Sequence, residues 1–158
     1  MSDVTGFAEL PDGKVVCGSE HGNLILWEGN LVKAHLVLDK DLKTSLHNSK
    51  MVEVVYLDGE HIITAGGDGY IKWWKFNDID NAEADETVEV AIHPVKEKII
   101  RDEQNGGEPA YIVNMIKGND HWLIQDGKGK IWKMMMDTMA VTEIKHFHSG
   151  KISDLALN

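Results

Sequence analysis

Apolar and polar residues alternate with a two-residue period along most of this chain. The alternating stretches stop at turns rich in Gly, Asn and Asp, and no segment sustains the 3.6-residue period of an amphipathic helix. The pattern predicts an all-β fold. Inner strands are expected near 4–10, 14–18 and 23–28, with an outer strand near 31–38. A second set falls near 51–57, 61–65 and 70–76, with its outer strand within 87–93. A third falls near 110–116, 121–125 and 130–135, with its outer strand near 140–147.

These sets are copies of one unit. Residues 13–28 read GKVVCGSEHGNLILWE, residues 59–75 read GEHIITAGGDGYIKWWK, and residues 119–134 read NDHWLIQDGKGKIWKM. Each is a strand, a Gly-rich turn and a second strand ending at or near Trp. Gly22, Gly69 and Gly129 hold the same place in each, 47 and then 60 residues apart. Strand–turn–strand–Trp units of about 40–45 residues mark a WD-type β-propeller. The expected architecture is a WD40-type propeller segment of about three four-stranded blades, with units at 1–38, 47–93 and 108–147. A fourth begins at His148, where His148-Ser149-Gly150-Lys151-Ile152 matches His47-Asn48-Ser49-Lys50-Met51. Because propellers close on themselves with 4–8 blades, three blades read as a fragment of a larger propeller, as a truncated gene model, or as a piece that pairs with a second chain. The acidic stretch 77–86 (NDIDNAEADE) and the stretch 101–109 (RDEQNGGEP) read as surface loops around the second outer strand.

His47, Thr64, Asp68 and Trp74 are the residues that look like chemistry. A hydroxyl, a histidine and a carboxylate can build an activated nucleophile. Their positions favour another role. A histidine before the innermost strand, a Ser/Thr in the next, an Asp in the following turn and a strand-ending Trp form the hydrogen-bond network that ties a WD blade together. The repeat signature is therefore Trp27, His47, Thr64, Asp68, Gly69, Trp74, Trp132 and His148, with no catalytic residue expected. The first unit carries Cys17 and His21 where the second has Thr64 and Asp68; the third carries Lys128 and Met134 in place of the Asp and the Trp. Gly66-Gly67-Asp68-Gly69 lies between two strands and lacks the helix N-terminus that would hold a phosphate. Its glycines fit a tight turn with positive φ. His146 and His148 share a strand face without a third ligand, so neither metal nor cofactor is expected. Met134, Met135, Met136 and Met139 read as an adaptable core. Cys17, the single cysteine, alternates with Val15 and reads as a small core residue.

The formal charge of −10 works against nucleic acid, which needs Lys and Arg to displace counterions. It works equally against acidic membrane faces and acidic tubulin tails. A basic protein surface is the favoured partner. No run of 18 apolar residues is present to cross a membrane. The opening residues, MSDVTGFAELPDGK, show neither the basic nor the apolar region of a secretory signal.

With the repeats placed, the intervening residues resemble one family. Asn23-Leu24-Ile25-Leu26-Trp27-Glu28-Gly29-Asn30 carries the resemblance, with Asp68-Gly69-Tyr70-Ile71-Lys72-Trp73-Trp74 running on to Asp78-Ile79-Asp80-Asn81-Ala82. Gln125-Asp126-Gly127-Lys128-Gly129-Lys130-Ile131-Trp132-Lys133 and Phe147-His148-Ser149-Gly150-Lys151-Ile152 add to it. The sequence is similar to the cilia- and flagella-associated WD-repeat protein number 44 family. That resemblance implies a non-enzymatic axonemal protein of cytoplasm and cytoskeleton, with propellers followed by coiled coil. Its implied place is the tether that holds the motor region of inner-arm dynein to the doublet microtubule, with dynein and tether-complex subunits as partners. The other reading of the repeats is a WD scaffold in a different cytosolic complex, such as a ubiquitin-ligase receptor or a trafficking coat.

Overall fold

The computed structural model describes residues 6–39, 44–83 and 89–144. It is all-β, built from antiparallel sheets in which consecutive strands pair. In the first sheet β1 (Phe7–Glu9), β2 (Val15–Gly18), β3 (Leu24–Glu28) and β4 (Leu31–Val37) follow one another. The second begins with β5 (Val52–Asp58), β6 (His61–Gly66) and β7 (Tyr70–Lys75). The chain then makes a short helix, α1 (Phe76–Asp80), and two strands, β8 (Glu89–Ala91) and β9 (Lys96–Ile99). A two-stranded hairpin, β10 (Arg101–Asp102) and β11 (Glu108–Pro109), leads to the third sheet. That sheet comprises β12 (Ile112–Lys117), β13 (His121–Asp126), β14 (Ile131–Met135) and β15 (Val141–Ile144).

The three sheets pack in chain order, and the middle one is buried on both faces. The two-residue period of β6 decides this, because successive side chains point to opposite sides. Ile62 joins Val55 and Trp74 on the face that meets Leu26, Ala34 and Leu36 of the first sheet. Ile63 and Ala65 join Ile71 and Trp73 on the other face, against Met115, Trp122, Ile124, Trp132 and Met134 of the third. The innermost strands β1, β5 and β12 lie side by side. The β5–β12 pair is tied by Tyr111, whose hydroxyl donates to Glu53 Oε2 at 2.9 Å, by a Lys117–Asp58 ion pair, and by an edge-on contact of Tyr56 with Trp122.

Two sequence expectations need correction. The segment expected as the outer strand of the second unit, 87–93, does not join the second sheet. Its described part, β8, pairs in parallel with β4 through His35↔Glu89, Leu36↔Val90 and Val37↔Ala91, and makes the first sheet five-stranded. Burial selects this edge, since Ile92 and Val90 add apolar surface to the core between the first two sheets. A parallel pairing needs a long connection, and the passage through β5, β6, β7 and α1 supplies one. The second sheet takes β9 as its outer strand instead. The sequence of β9, Lys-Glu-Lys-Ile, is too charged to read as a strand, yet charge suits an exposed edge.

The acidic stretch 77–86 is likewise not a purely solvated loop. Its first residues lie in α1, with Ile79 and Ala82 buried in the first core. Lys14 Nζ holds the turn from below, donating to the Asp80 carbonyl at 2.6 Å and to its carboxylate at 3.0 Å. Residues 101–109 form the β10–β11 hairpin around a 3₁₀ turn. The expected fourth unit from His148 and the end of the third outer strand (145–147) lie outside the described residues, as do 84–88.

Candidate functional site

The polar groups singled out in the second unit meet in one buried cluster. His47 sits in a tight turn before β5, where Asn48 and Ser49 both adopt left-handed backbone (φ 51 and 62) and Lys50 N–H closes onto the His47 carbonyl at 2.9 Å. His47 N–H in turn donates to the Gly22 carbonyl at 2.9 Å, so the first sheet's turn fixes the histidine. Gly22 lies so close (φ 89) that a Cβ would stand 2.8 Å from the Lys50 carbonyl. Thr64 lies mid-strand in β6, Asp68 in the β6–β7 turn, and Trp74 near the end of β7.

The distances define a chain of hydrogen bonds. Trp74 Nε1–H donates to Thr64 Oγ1 at 2.8 Å, and Thr64 Oγ1 lies 2.6 Å from His47 Nε2. His47 Nδ1 lies 2.9 Å from Asp68 Oδ1. One proton arrangement satisfies every link. With the imidazole proton on Nδ1, His47 donates to the carboxylate while Nε2 accepts the Thr64 hydroxyl proton. Asp68 also accepts from Tyr70 N–H at 3.1 Å and from the Asn48 amide at 3.0 Å. Burial pushes the Asp68 carboxyl up, but the hydrogen bonds it accepts from His47, Tyr70 N–H and Asn48 outweigh it and hold it below the usual carboxylate range.

Thr64, His47 and Trp74 are all 0% exposed. A hydroxyl that accepts from Trp74 and donates to His47 is held inside this network, and at 0% exposure it has no path to a substrate. A shallow groove of about 530 Å³ runs past Asp68, Asn48, Lys50, Tyr70 and Pro109, but Thr64 does not line it. The cluster fills the interior and orients the turns. It presents only the edge of Asp68 to the surface.

The remaining predicted residues are placed differently. Gly69 adopts φ 81 in the β6–β7 turn, and a Cβ there would stand 2.8 Å from Pro109 Cβ. Trp27 stands beside Cys17 on the face of the first sheet turned away from the second; burial pushes the Cys17 thiol up, with the Trp27 contact opposing it. His21 is exposed beside Glu20 and joins no network. In the third sheet Ile124 and Met134 occupy the rungs of Thr64 and Trp74, and Trp132 takes that of Lys72. His148 and His146 lie outside the described residues. Among the described residues no three His, Cys, Asp or Glu side chains converge to hold a metal.

Three polar groups escaped sequence reasoning. Asp126 organises the β13–β14 turn by accepting from Lys128 and Lys130 N–H, two residues earlier than the repeat alignment looks for an acid. The Asp-Gly dipeptide there was the available signal. Asp102, 4% exposed, is clasped by Lys130 Nζ at 2.8–2.9 Å, and this bond holds its carboxyl below the usual range. Lys14 with Asp80 joins residues 66 apart. Nothing local to the sequence signals either of these last two pairs.

Comparison with known proteins adds the ancestry. Over 166 aligned residues, covering 99% of the chain, it is 40% identical to cilia- and flagella-associated protein 44 of Mus musculus. This chain is a homologue of cilia- and flagella-associated protein 44. The protein of the same name from Trypanosoma brucei brucei (strain 927/4 GUTat10.1) is 28% identical over 188 residues, and that from Chlamydomonas reinhardtii 43% over 58 residues. The chain spans 8% of the mouse protein and 10% of the trypanosome one. No protein-family model matches it. Among solved structures it is similar to the computationally designed Ika4 protein, with a TM-score of 0.56 at 16% identity over 94% of this chain and 76% of that one. The designed Ika8 protein gives 0.52 at 16% identity, over 92% and 37%. At such identity the likeness is one of fold alone.

Proposed function

We propose that the chain is a non-catalytic WD-type β-propeller segment that serves as a scaffold in the ciliary and flagellar axoneme. In this reading it helps to tether the motor region of inner-arm dynein to the doublet microtubule, supporting cilium movement, and its partners are dynein and tether-complex subunits. The observation that carries the proposal is the 40% identity over 99% of the chain to a cilia- and flagella-associated protein. Two structural features support the propeller part of it. Four-stranded antiparallel meanders recur along the chain, and the His47–Thr64–Asp68–Trp74 bonds stand where a WD blade places its polar network. Because that network is internal, partner choice falls to turns and outer edges, as in most repeat scaffolds.

The experiment is to tag the full-length protein in a ciliated cell and extract with detergent. Retention along the axoneme is the expected result, followed by crosslinks to dynein-side neighbours. A fully extractable, cytosolic signal would overturn the proposal.

A further inference from the structure

The second and third sheets each turn one face toward the sheet before them, and that face is fully covered. Val55 and Met115, which pair with Thr64 and Ile124, are 8% and 7% exposed. Trp74 and Met134, on matching rungs of β7 and β14, are 0% exposed. In the first sheet the same rungs hold Phe7, which pairs with Cys17, and Trp27. Phe7 is 66% exposed, and Val15, Ile25 and Trp27 of the same face are only half-buried around a buried Cys17. Glu9 and His35 stand at the margins of this face.

The faces that do the covering are equally regular. The first sheet presents Val16, Gly18, Leu24 and Leu26 to the second, and the second presents Ile63, Ala65, Ile71 and Trp73 to the third. All are uncharged, and the second rung of each set is Gly or Ala. At Gly18 there is no room for more, since a Cβ would stand 2.7 Å from Val52 Cβ of the next sheet's innermost strand.

We propose that the open face of Phe7, Val15, Ile25 and Trp27 is covered, in the full-length protein, by a further antiparallel sheet of the same series. The proposal rests on reading the chain as a propeller segment, and it adds what the covering sheet must present. Sheets stacked in series contact only their neighbours, so the two layers already built define the third. At the rungs of Val16, Gly18, Leu24 and Leu26 the covering sheet carries uncharged side chains, with Gly or Ala at that of Gly18. It need supply no hydrogen-bonding group at its centre, because Cys17 and Ile25 stand where Thr64 and Lys72 do. A second copy of this chain offers no such face. Its first two covering faces are used internally, and its third sheet has Gln125 and Lys133 on the rungs of Ala65 and Trp73. Those bring an amide and an ammonium that an apolar face would desolvate. Two first sheets meeting face to face would repeat neither layer that the chain builds. The length to supply another sheet exists in the relatives, since this chain spans 8% of the mouse protein.

Hydroxyl-radical footprinting read by mass spectrometry tests this without a substitution, because aromatic side chains oxidise at rates set by their exposure. Phe7 should oxidise readily in the 158-residue chain and several-fold more slowly in the purified full-length protein. Trp27 should slow with it. In full-length Phe7→Asp, Trp27 should return toward its rate in the short chain, while Trp74, covered from within, stays slow. Equal rates for Phe7 in the two proteins would overturn the proposal. So would protection of Phe7 with Trp27 unchanged, which would mean that a single strand or loop covers β1 and no sheet does. Protection already present in the short chain and lost on dilution would identify a second copy as the occupant, and would overturn it equally. None of these outcomes depends on where in the cell the protein resides, so the proposal and the axonemal reading fail separately.

Discussion

The middle of the first intersheet layer is polar, and the middle of the second is not. Between sheets one and two the rungs of β6 and β7 present Thr64, Lys72 and Trp74, with His47 and Asp68 closing a bonded chain. Between sheets two and three the same rungs carry Ile124, Trp132 and Met134. Thr64 and Trp74 are as fully buried as Ile124 and Met134, at 0% exposure. One backbone arrangement therefore tolerates two ways of filling its centre. The apolar way depends on volume and contact. The polar way also demands that every donor find its acceptor, because an unmade buried bond costs more than a made one returns. Its return is position: the bonds link a turn before β5, a strand and a hairpin turn that packing alone would leave less constrained.

The largest expected difference between the layers comes from Trp74→Ala, which removes both a large buried side chain and a donor. It should cost about 3–5 kcal/mol, read as a shift of the urea midpoint at unchanged slope. Thr64→Val is nearly isosteric and tests the polar way by itself. It leaves Trp74 Nε1–H and His47 Nε2 without a partner and should cost about 1–3 kcal/mol. The matched change in the apolar layer, Ile124→Val, should cost only about 0.5–1.5 kcal/mol. If Thr64→Val proved no worse than Ile124→Val in the same melts, the polar layer would have no special dependence on bonding.

The smallest effect is confined to acid. Asp68 has a folded-state pKa below its unfolded value near 3.8, so its contribution is present above that value and is lost as pH falls through the folded pKa. Subtracting the stability profile of Asp68→Asn from that of the unaltered chain should leave a difference that is flat at neutral pH and declines below about pH 4. Other carboxylates with lowered pKa, such as Asp12 and Asp102, stay in both profiles and cancel.

Alternation and turn chemistry made the three strand–turn–strand cores legible, together with the residues of the His47 cluster. Both are encoded locally, by a period of two and by fixed offsets within one unit. The assignment of 87–93 went astray for a physical reason. Glu89-Val90-Ala91 reads as a strand, but an alternating strand carries no mark of which open edge it will join. Burial of Val90 and Ile92 beside Leu36 made that choice. Lys96–Ile99 was invisible for the opposite reason, since an edge strand needs few apolar residues. Asp78-Ile79-Asp80 looked like solvated loop because one buried isoleucine among acids has no period to reveal it.

By itself, then, the sequence determined the inner strands of the three units, the turns between them, and which four residues could bond. Tertiary structure decided the partner of each outer strand, the docking of α1, and the long-range clasps Lys14–Asp80 and Lys130–Asp102. The division follows from distance along the chain. Pairing within a unit is dictated by neighbours a few residues away, whereas an edge or a clasp joins residues tens of positions apart, and only the packed sheets bring those together.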